Sequence, residues 1–213
     1  MHAGSLDQPT GSGGLGVFGG AFNPPTTAHV ALGRAALGRL PIRNLLVIPA
    51  GDHPHKRNHD MAPAADRLAM CRIAFGDLPG AIVDDRELTR AGPSFTVDTL
   101  AELASTAPGR ALFLLIGSDN LPLLPTWRDP VRLLSMCTVV TYPRAGHPLS
   151  DAVFDAMPIP ESARAMLRAN VLALPALTTA ATDLRARWRR GERELAELPP
   201  AVRDYMQSHR LYP

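Results

Sequence analysis

Gly16-Val17-Phe18-Gly19-Gly20-Ala21-Phe22-Asn23-Pro24-Pro25-Thr26-Thr27-Ala28-His29 decides how this chain folds. Read forward, it is a buried strand (Leu15 to Phe18), a glycine turn, an extended Asn-Pro-Pro corner and the start of a helix. Gly19 and Gly20 lack a Cβ, which lets a ligand approach the backbone and makes positive φ available. Pro24 and Pro25 fix the approach to the helix, and Thr26 or Thr27 can cap it. The helix N-terminus offers free N–H groups and a positive dipole end, a seat for phosphate. His29 falls in the first turn and can face that seat. The G-x-G-x-x-G spacing of a dinucleotide fingerprint is absent. An ordinary βα turn with a surface histidine accounts for the same residues, so this stretch alone leaves phosphate binding open.

Working outward, strands alternate with helices. After a helix over Thr27 to Arg39, the apolar run from Asn44 to Pro49 suits a strand buried on both faces of a parallel sheet. Asp66 to Phe75 is helical, with Leu68, Cys71 and Phe75 on one face, and Ala81 to Asp84 is a short strand. Ser94 is a candidate N-cap for a helix that aligns Val97, Leu100 and Ala104. Ala111 to Gly117 is the clearest buried strand. Pro125 to Arg128 opens a turn and helix, Cys137 to Tyr142 is a strand, and Pro143 to Pro160 is a Pro-rich loop. Glu161 to Arg168 reads as a short helix and Val171 to Leu174 as a last strand. Thr182 is a candidate N-cap for a basic helix that Gly191 closes, and Pro200 to His209 is a terminal helix. The alternation predicts an α/β fold: a Rossmann-like, doubly wound, mainly parallel sheet with helices on both faces. A small helical C-terminal part spans about 178–213. Residues 1–13 read as a disordered leader and 14–213 as one domain.

Composition narrows the function. Of 213 residues, 46% are hydrophobic, enough for a large core, and the net charge of +2 is too weak to argue for nucleic acid. No apolar run is long enough to span a membrane, and the N-terminal stretch is no secretory signal. Cys71 and Cys137 lie in apolar contexts without metal spacing, which reads as reduced core cysteines of a cytoplasmic protein.

The chemistry-bearing residues each have a plain alternative. Asp119, just after the glycine of the strand ending at Gly117, can accept from ribose hydroxyls or cap a helix. His53, His55 and Lys56 can meet phosphate or form a solvated basic loop; a lone His-x-His completes no metal set. Arg185 can reach a second phosphate seat or stand on a solvated cationic face. Trp127 can stack on a flat ring or fill core. The set is rich in phosphate donors and poor in nucleophiles, which favours positioning and charge stabilisation, as in direct nucleotidyl transfer.

Together these stretches resemble the bacterial nicotinate-nucleotide adenylyltransferase family of the nucleotidyltransferase superfamily, whose first motif is usually G-G-[ST]-F-[DN]-P-x-H-x-G-H. Gly19 to His29 stands in its place. The likeness runs from about Gly16 to Tyr212 and includes Pro54-His55-Lys56, Arg86-Glu87-Leu88, Gly92 to Leu100, Ile116 to Asp119, Pro125-Thr126-Trp127 and the ending from Leu198 to Tyr212. The resemblance implies transfer of AMP from ATP to nicotinate mononucleotide, giving deamido-NAD and pyrophosphate, with Mg²⁺ assisting. It implies that His29 and Arg185 are catalytic. Gly19, Gly20, Ala21, Phe22, Thr26, Gly117, Asp119 and Thr182 would join them around ATP. Asn23, His55, Lys56, Thr96 and Trp127 would hold the mononucleotide. No metal ligands, nucleic acid or membrane are implied, and self-association into a homo-oligomer is compatible with the resemblance.

Two departures stand out. Thr26 replaces the first histidine of H-x-G-H, whose glycine is Ala28 here, and Ala180 replaces the serine of S-x-T-x-x-R. Threonine carries no positive charge, and charge-assisted bonds are roughly twice as strong as neutral ones. The alternatives are therefore a catalytically weakened nucleotide-binding homologue, or an adenylyltransferase acting on another phosphorylated acceptor. By the same reasoning, Thr26→His is expected to raise the rate.

Overall fold

The structure, a computed structural model, describes residues 13–51 and 60–213. The expected leader, apart from Gly13, and the whole of His53, His55 and Lys56 lie outside the described residues.

Five strands form one sheet: β1 (Gly14–Gly20), β2 (Ile42–Pro49), β3 (Ala81–Val83), β4 (Leu112–Gly117) and β5 (Thr138–Tyr142). Their order is β3-β2-β1-β4-β5 and every pairing is parallel. The chain lays β2 and β3 to one side of β1, then crosses over and lays β4 and β5 to the other. The carboxyl ends of β1 and β4 therefore flank a topological switch point, where open α/β sheets bind ligands. The expected Rossmann-like, doubly wound sheet is the observed one.

Side chains alternate between the faces of each strand. Val17, Leu46, Ile48, Leu114, Ile116 and Val139 share one face, packed against Val97, Leu100 and Leu103 of α4 (Thr96–Thr106) and Leu133. Phe18, Leu45, Val47, Leu115 and Val140 share the other, under Leu32 and Ala36 of α1 (Thr27–Arg39) and Cys71 and Phe75 of α2 (Ala64–Phe75). Each such buried side chain contributes about 1.5–3 kcal/mol. Both faces being covered explains why the strands read as apolar runs rather than as alternating ones. A third cluster seats the C-terminal helices α8 (Ala181–Arg189) and α9 (Pro200–Ser208) on α2, through Met70, Leu184, Trp188, Val202 and Met206.

Several local expectations change. Phe95, not Ser94, caps α4, because the Ser94 hydroxyl donates to the Glu87 carbonyl at 3.3 Å in the helical turn α3 (Arg86–Thr89). A 3₁₀ segment (Ser118–Thr126) follows β4, and α5 (Pro130–Met136) begins only after Asp129, whose carboxylate caps it. The Pro-rich stretch contains a short helix, α6 (Asp151–Asp155), ahead of α7 (Glu161–Ala169). Val171 makes a single parallel bridge to Thr141 instead of a strand. On α2, Arg67 and Met70 are buried with Cys71 and Phe75, while Leu68 is only partly buried.

Candidate active site

The site is built on the corner between β1 and α1. Gly19 is exposed at the end of β1, and a Cβ there would meet none of the described residues within 4 Å, so its backbone stands open to the crevice. Neither Gly19 nor Gly20 takes positive φ; Phe22 does, at 44°. Phe22 holds that conformation because its ring is locked edge-on against Phe18, His29 and Phe75, with centroids 5.2–6.0 Å apart. The Phe22 side chain is therefore core, and only its backbone lines the corner.

Asn23 is the corner's hub. Its carbonyl side-chain oxygen accepts from the Ala62 N–H at 2.9 Å and the Tyr212 hydroxyl at 2.6 Å, and its amide donates to the Asp60 carbonyl. Its backbone carbonyl accepts from Arg185 at 2.9 Å. Behind it, Arg67 is 0% exposed and donates to the carbonyls of Ala21, Ala50 and Ala62 at 2.8–3.2 Å. One guanidinium thus ties the loops that leave β1 and β2.

Thr26 caps α1 and shapes His29. Its hydroxyl accepts from the His29 N–H, and its backbone N–H donates to His29 Nδ1 at 2.9 Å. A backbone N–H can only donate, so Nδ1 is the unprotonated nitrogen and Nε2 carries the hydrogen. Nε2–H has no hydrogen-bond partner among the described residues and is available to a ligand oxygen. Burial and the nearby Arg144 cation lower the His29 pKa to about 4. His29 is thus a neutral, oriented donor at pH 7. Thr26 is 1% exposed and its hydroxyl lies 2.8 Å from Nδ1. Thr26→His would remove the cap and crowd this site, so the gain in rate expected from sequence does not follow.

His29 also links stability to pH. Folded, it stays unprotonated down to about pH 4, whereas in the unfolded chain it takes its proton near 6.5. Its contribution to stability is therefore full above pH 6.5 and lost progressively down through pH 4. Urea denaturation should show the wild type about 2 kcal/mol less stable at pH 5 than at pH 7 from this group, with His29→Gln reducing the difference by that amount. An equal pH dependence in both proteins would contradict the assigned protonation state.

Across the crevice, Gly117 ends β4. A Cβ at this position would fall 2.2 Å from Asp119 Oδ1 and 3.0 Å from Arg144 Cγ, so only glycine lets both side chains cross here. Arg144 Nε stands 3.9 Å from Asp119, and its guanidinium donates to the Thr179 carbonyl at 3.4 Å. Asp119 lies in the first turn of the 3₁₀ segment and makes no cap bond.

Ala180, not Thr182, is the N-cap of α8 and offers it no side-chain bond. Thr182 sits inside the first turn, where its hydroxyl accepts from Arg185 at 3.4 Å. Arg185 is 7% exposed, and its Nε has no hydrogen-bond partner among the described residues. His29 and Arg185 therefore converge on one corner, the first bonded to Thr26 and the second to Asn23.

Thr96 and Trp127 meet in a separate cavity of about 260 Å³, lined by residues 94–97, 126–128 and Leu133. Ser94 of this lining donates to the Glu87 carbonyl at 3.3 Å, and behind it the Thr99 hydroxyl donates to the Glu87 carboxylate at 2.7 Å and accepts from Arg90 at 3.0 Å. Gly92 takes φ 84° in the turn between them, a conformation that favours glycine. Thr99→Val should cost about 2 kcal/mol, since it strips a buried hydroxyl from two charged partners. Urea denaturation checks this directly; a Thr99→Val protein as stable as the wild type would show that the two charged side chains do not depend on the hydroxyl.

Arg67, Arg144 and Tyr212 join the site without being singled out in the sequence. A polar residue at an inward helical position was the one available signal, and it marked Arg67 alone.

Fold and site together define a nucleotidyltransferase: residues 17–182 match the cytidylyltransferase-like family. Similar proteins narrow this. A probable nicotinate-nucleotide adenylyltransferase of Albidiferax ferrireducens is 41% identical over 93% of this chain and 97% of its own. One from Gemmatimonas aurantiaca is 37% identical over 93% of this chain and 92% of its own. The solved nicotinic acid mononucleotide adenylyltransferase of Plasmodium falciparum, complexed with NaAD, shares the fold at 16% identity, with a TM-score of 0.75 over 94% of this chain and 97% of that one. The chain belongs to the nicotinate-nucleotide adenylyltransferase family.

Proposed function

We propose that the chain transfers AMP from ATP to nicotinate mononucleotide, giving deamido-NAD and pyrophosphate. The observation that carries this reading is the corner itself: a neutral histidine donor and a buried arginine, both bonded to residues 23–26, at the switch point of the sheet. A phosphate oxygen of the mononucleotide forms the new bond to the α-phosphorus of ATP. The bond from that phosphorus to the β-bridging oxygen breaks, and pyrophosphate leaves. No enzyme nucleophile is needed. Cys71 and Cys137 are buried free thiols, with pKa values pushed up to about 12 by burial.

Each group has a task. His29 Nε2–H and Arg185 stabilise the charge that develops on the transferring phosphate and its leaving group. The backbone of Gly19 to Phe22 lets the nucleotide lie close to β1. Gly117 and Asp119 face the adenosine, with Asp119 accepting from ribose, and Thr182 adds a hydroxyl beside the triphosphate. Thr26 acts through His29, and Asn23 through the shape of the corner. Thr96 and Trp127 hold the nicotinate ring, and His55 and Lys56 meet the acceptor phosphate. Among the described residues, no three His, Cys, Asp or Glu side chains cluster as a metal cage. We assign the divalent cation to the substrate, as the magnesium complex of ATP, where it neutralises phosphate charge. The two buried free cysteines support a reaction in the cytoplasm, and, separately, no described helix is long and apolar enough to cross a membrane.

The two departures favour a working enzyme over a weakened binder, because both fall at helix caps. Thr26 still caps α1 and Ala180 only leaves α8 without a side-chain cap. A label test decides the matter. With nicotinate mononucleotide present, label in the α-phosphate of ATP should enter deamido-NAD and label in the γ-phosphate should enter pyrophosphate. Nucleotide binding with neither product would leave the binder reading standing instead.

A further inference from the structure

We propose that Arg128 sets the preference for an acid over an amide on the ring held in the cavity between α4 and α5. The inference rests on the reaction proposed above. Acid and amide rings have nearly the same shape and differ by one negative charge, so a positive group at the cavity favours the acid. Among the described residues, Arg128 is the one charged side chain in the lining. Its guanidinium lies over the Phe95 ring, 4.6 Å from the centroid, which holds it against the aromatic wall.

The backbone on both sides of Arg128 is fixed. The Trp127 N–H donates to the Leu124 carbonyl at 3.2 Å, and Asp129 caps α5 by accepting from the Arg132 N–H. Arg128 has one acidic neighbour among the described residues, Asp98, whose carboxylate stands 3.7 Å away. That distance is too long for a hydrogen bond. The Arg128 side chain is 58% exposed, so the pair is weak and the guanidinium keeps donors for a ring carboxylate. Asp98 opposes an acid ring and competes for the same arginine. The two residues therefore pull the selectivity in opposite directions.

The test is the ratio of kcat/KM for nicotinate mononucleotide to that for nicotinamide mononucleotide, at saturating ATP. Arg128→Gln should lose more activity on the acid than on the amide, lowering the ratio about tenfold, while Arg128→Lys, which keeps the charge but not the planar fork over Phe95, should keep part of it. Asp98→Asn should raise the ratio. Added salt should lower the wild-type ratio and leave that of Arg128→Gln nearly flat. An unchanged ratio in Arg128→Gln, or equal losses on both substrates, would overturn the assignment. No dinucleotide from either substrate with the wild type would instead overturn the reaction on which it rests.

Discussion

His29→Ala is expected to lower kcat for dinucleotide formation by about 10²–10³-fold while changing KM for ATP much less. The reason is geometric. The Thr26 backbone N–H claims Nδ1 and leaves Nε2–H as a single aimed donor. A donor that is positioned before the reaction contributes most where phosphate charge develops, and that contribution appears in kcat. His29→Gln, which retains a donor on a longer and less fixed stem, should recover part of the rate. Because the ring also packs on Phe22, the melting temperature of each variant must be measured alongside. A folded His29→Ala protein with kcat within threefold of wild type would remove His29 from the reacting centre.

Arg67→Met should show the largest loss of stability, about 3–5 kcal/mol, or some 6–20 °C in Tm for a chain of this size. The guanidinium is fully buried and its acceptors include the carbonyls of Ala21, Ala50 and Ala62. Methionine fills similar volume but leaves those carbonyls unpaired. Relief from burying a charge offsets part of the cost, which bounds the estimate from above. Since Ala21 borders Phe22 and Asn23, catalytic activity should fall as well, even well below the melting point. A Tm within 2 °C of wild type would show that other bonds hold the two loops.

The legibility of this chain follows how local each determinant is. The sheet was readable because its strands are apolar on both sides and are separated by helical periods. The β1–α1 corner was readable because its determinants lie within a few residues: two glycines without a Cβ, two prolines that fix φ and two threonines that can cap the helix. Caps were less so: Ser94 and Thr182 are good cap types, but the Ser94 hydroxyl turns back to the Glu87 carbonyl and the Thr182 hydroxyl accepts from Arg185 one turn along its own helix, so the caps fall at Phe95 and Ala180 instead. Arg67 shows in sequence only as a polar residue at an inward helical position; its role was hidden because two of its acceptors lie 46 and 17 residues away, on loops whose meeting depends on the completed sheet. Arg144 reads as a loop cation until β4 and β5 pair and lay its stem over Gly117. Asn23 was expected near the mononucleotide, yet its side chain is engaged by Asp60, Ala62 and Tyr212, partners that sequence spacing does not connect.

The most direct test is pyrophosphate release by the whole chain with ATP, Mg²⁺ and either nicotinate mononucleotide or its amide. The expected result is release that requires the mononucleotide, matches deamido-NAD formation one for one, and is faster with the acid. Release from ATP alone, or none with either mononucleotide, would contradict it.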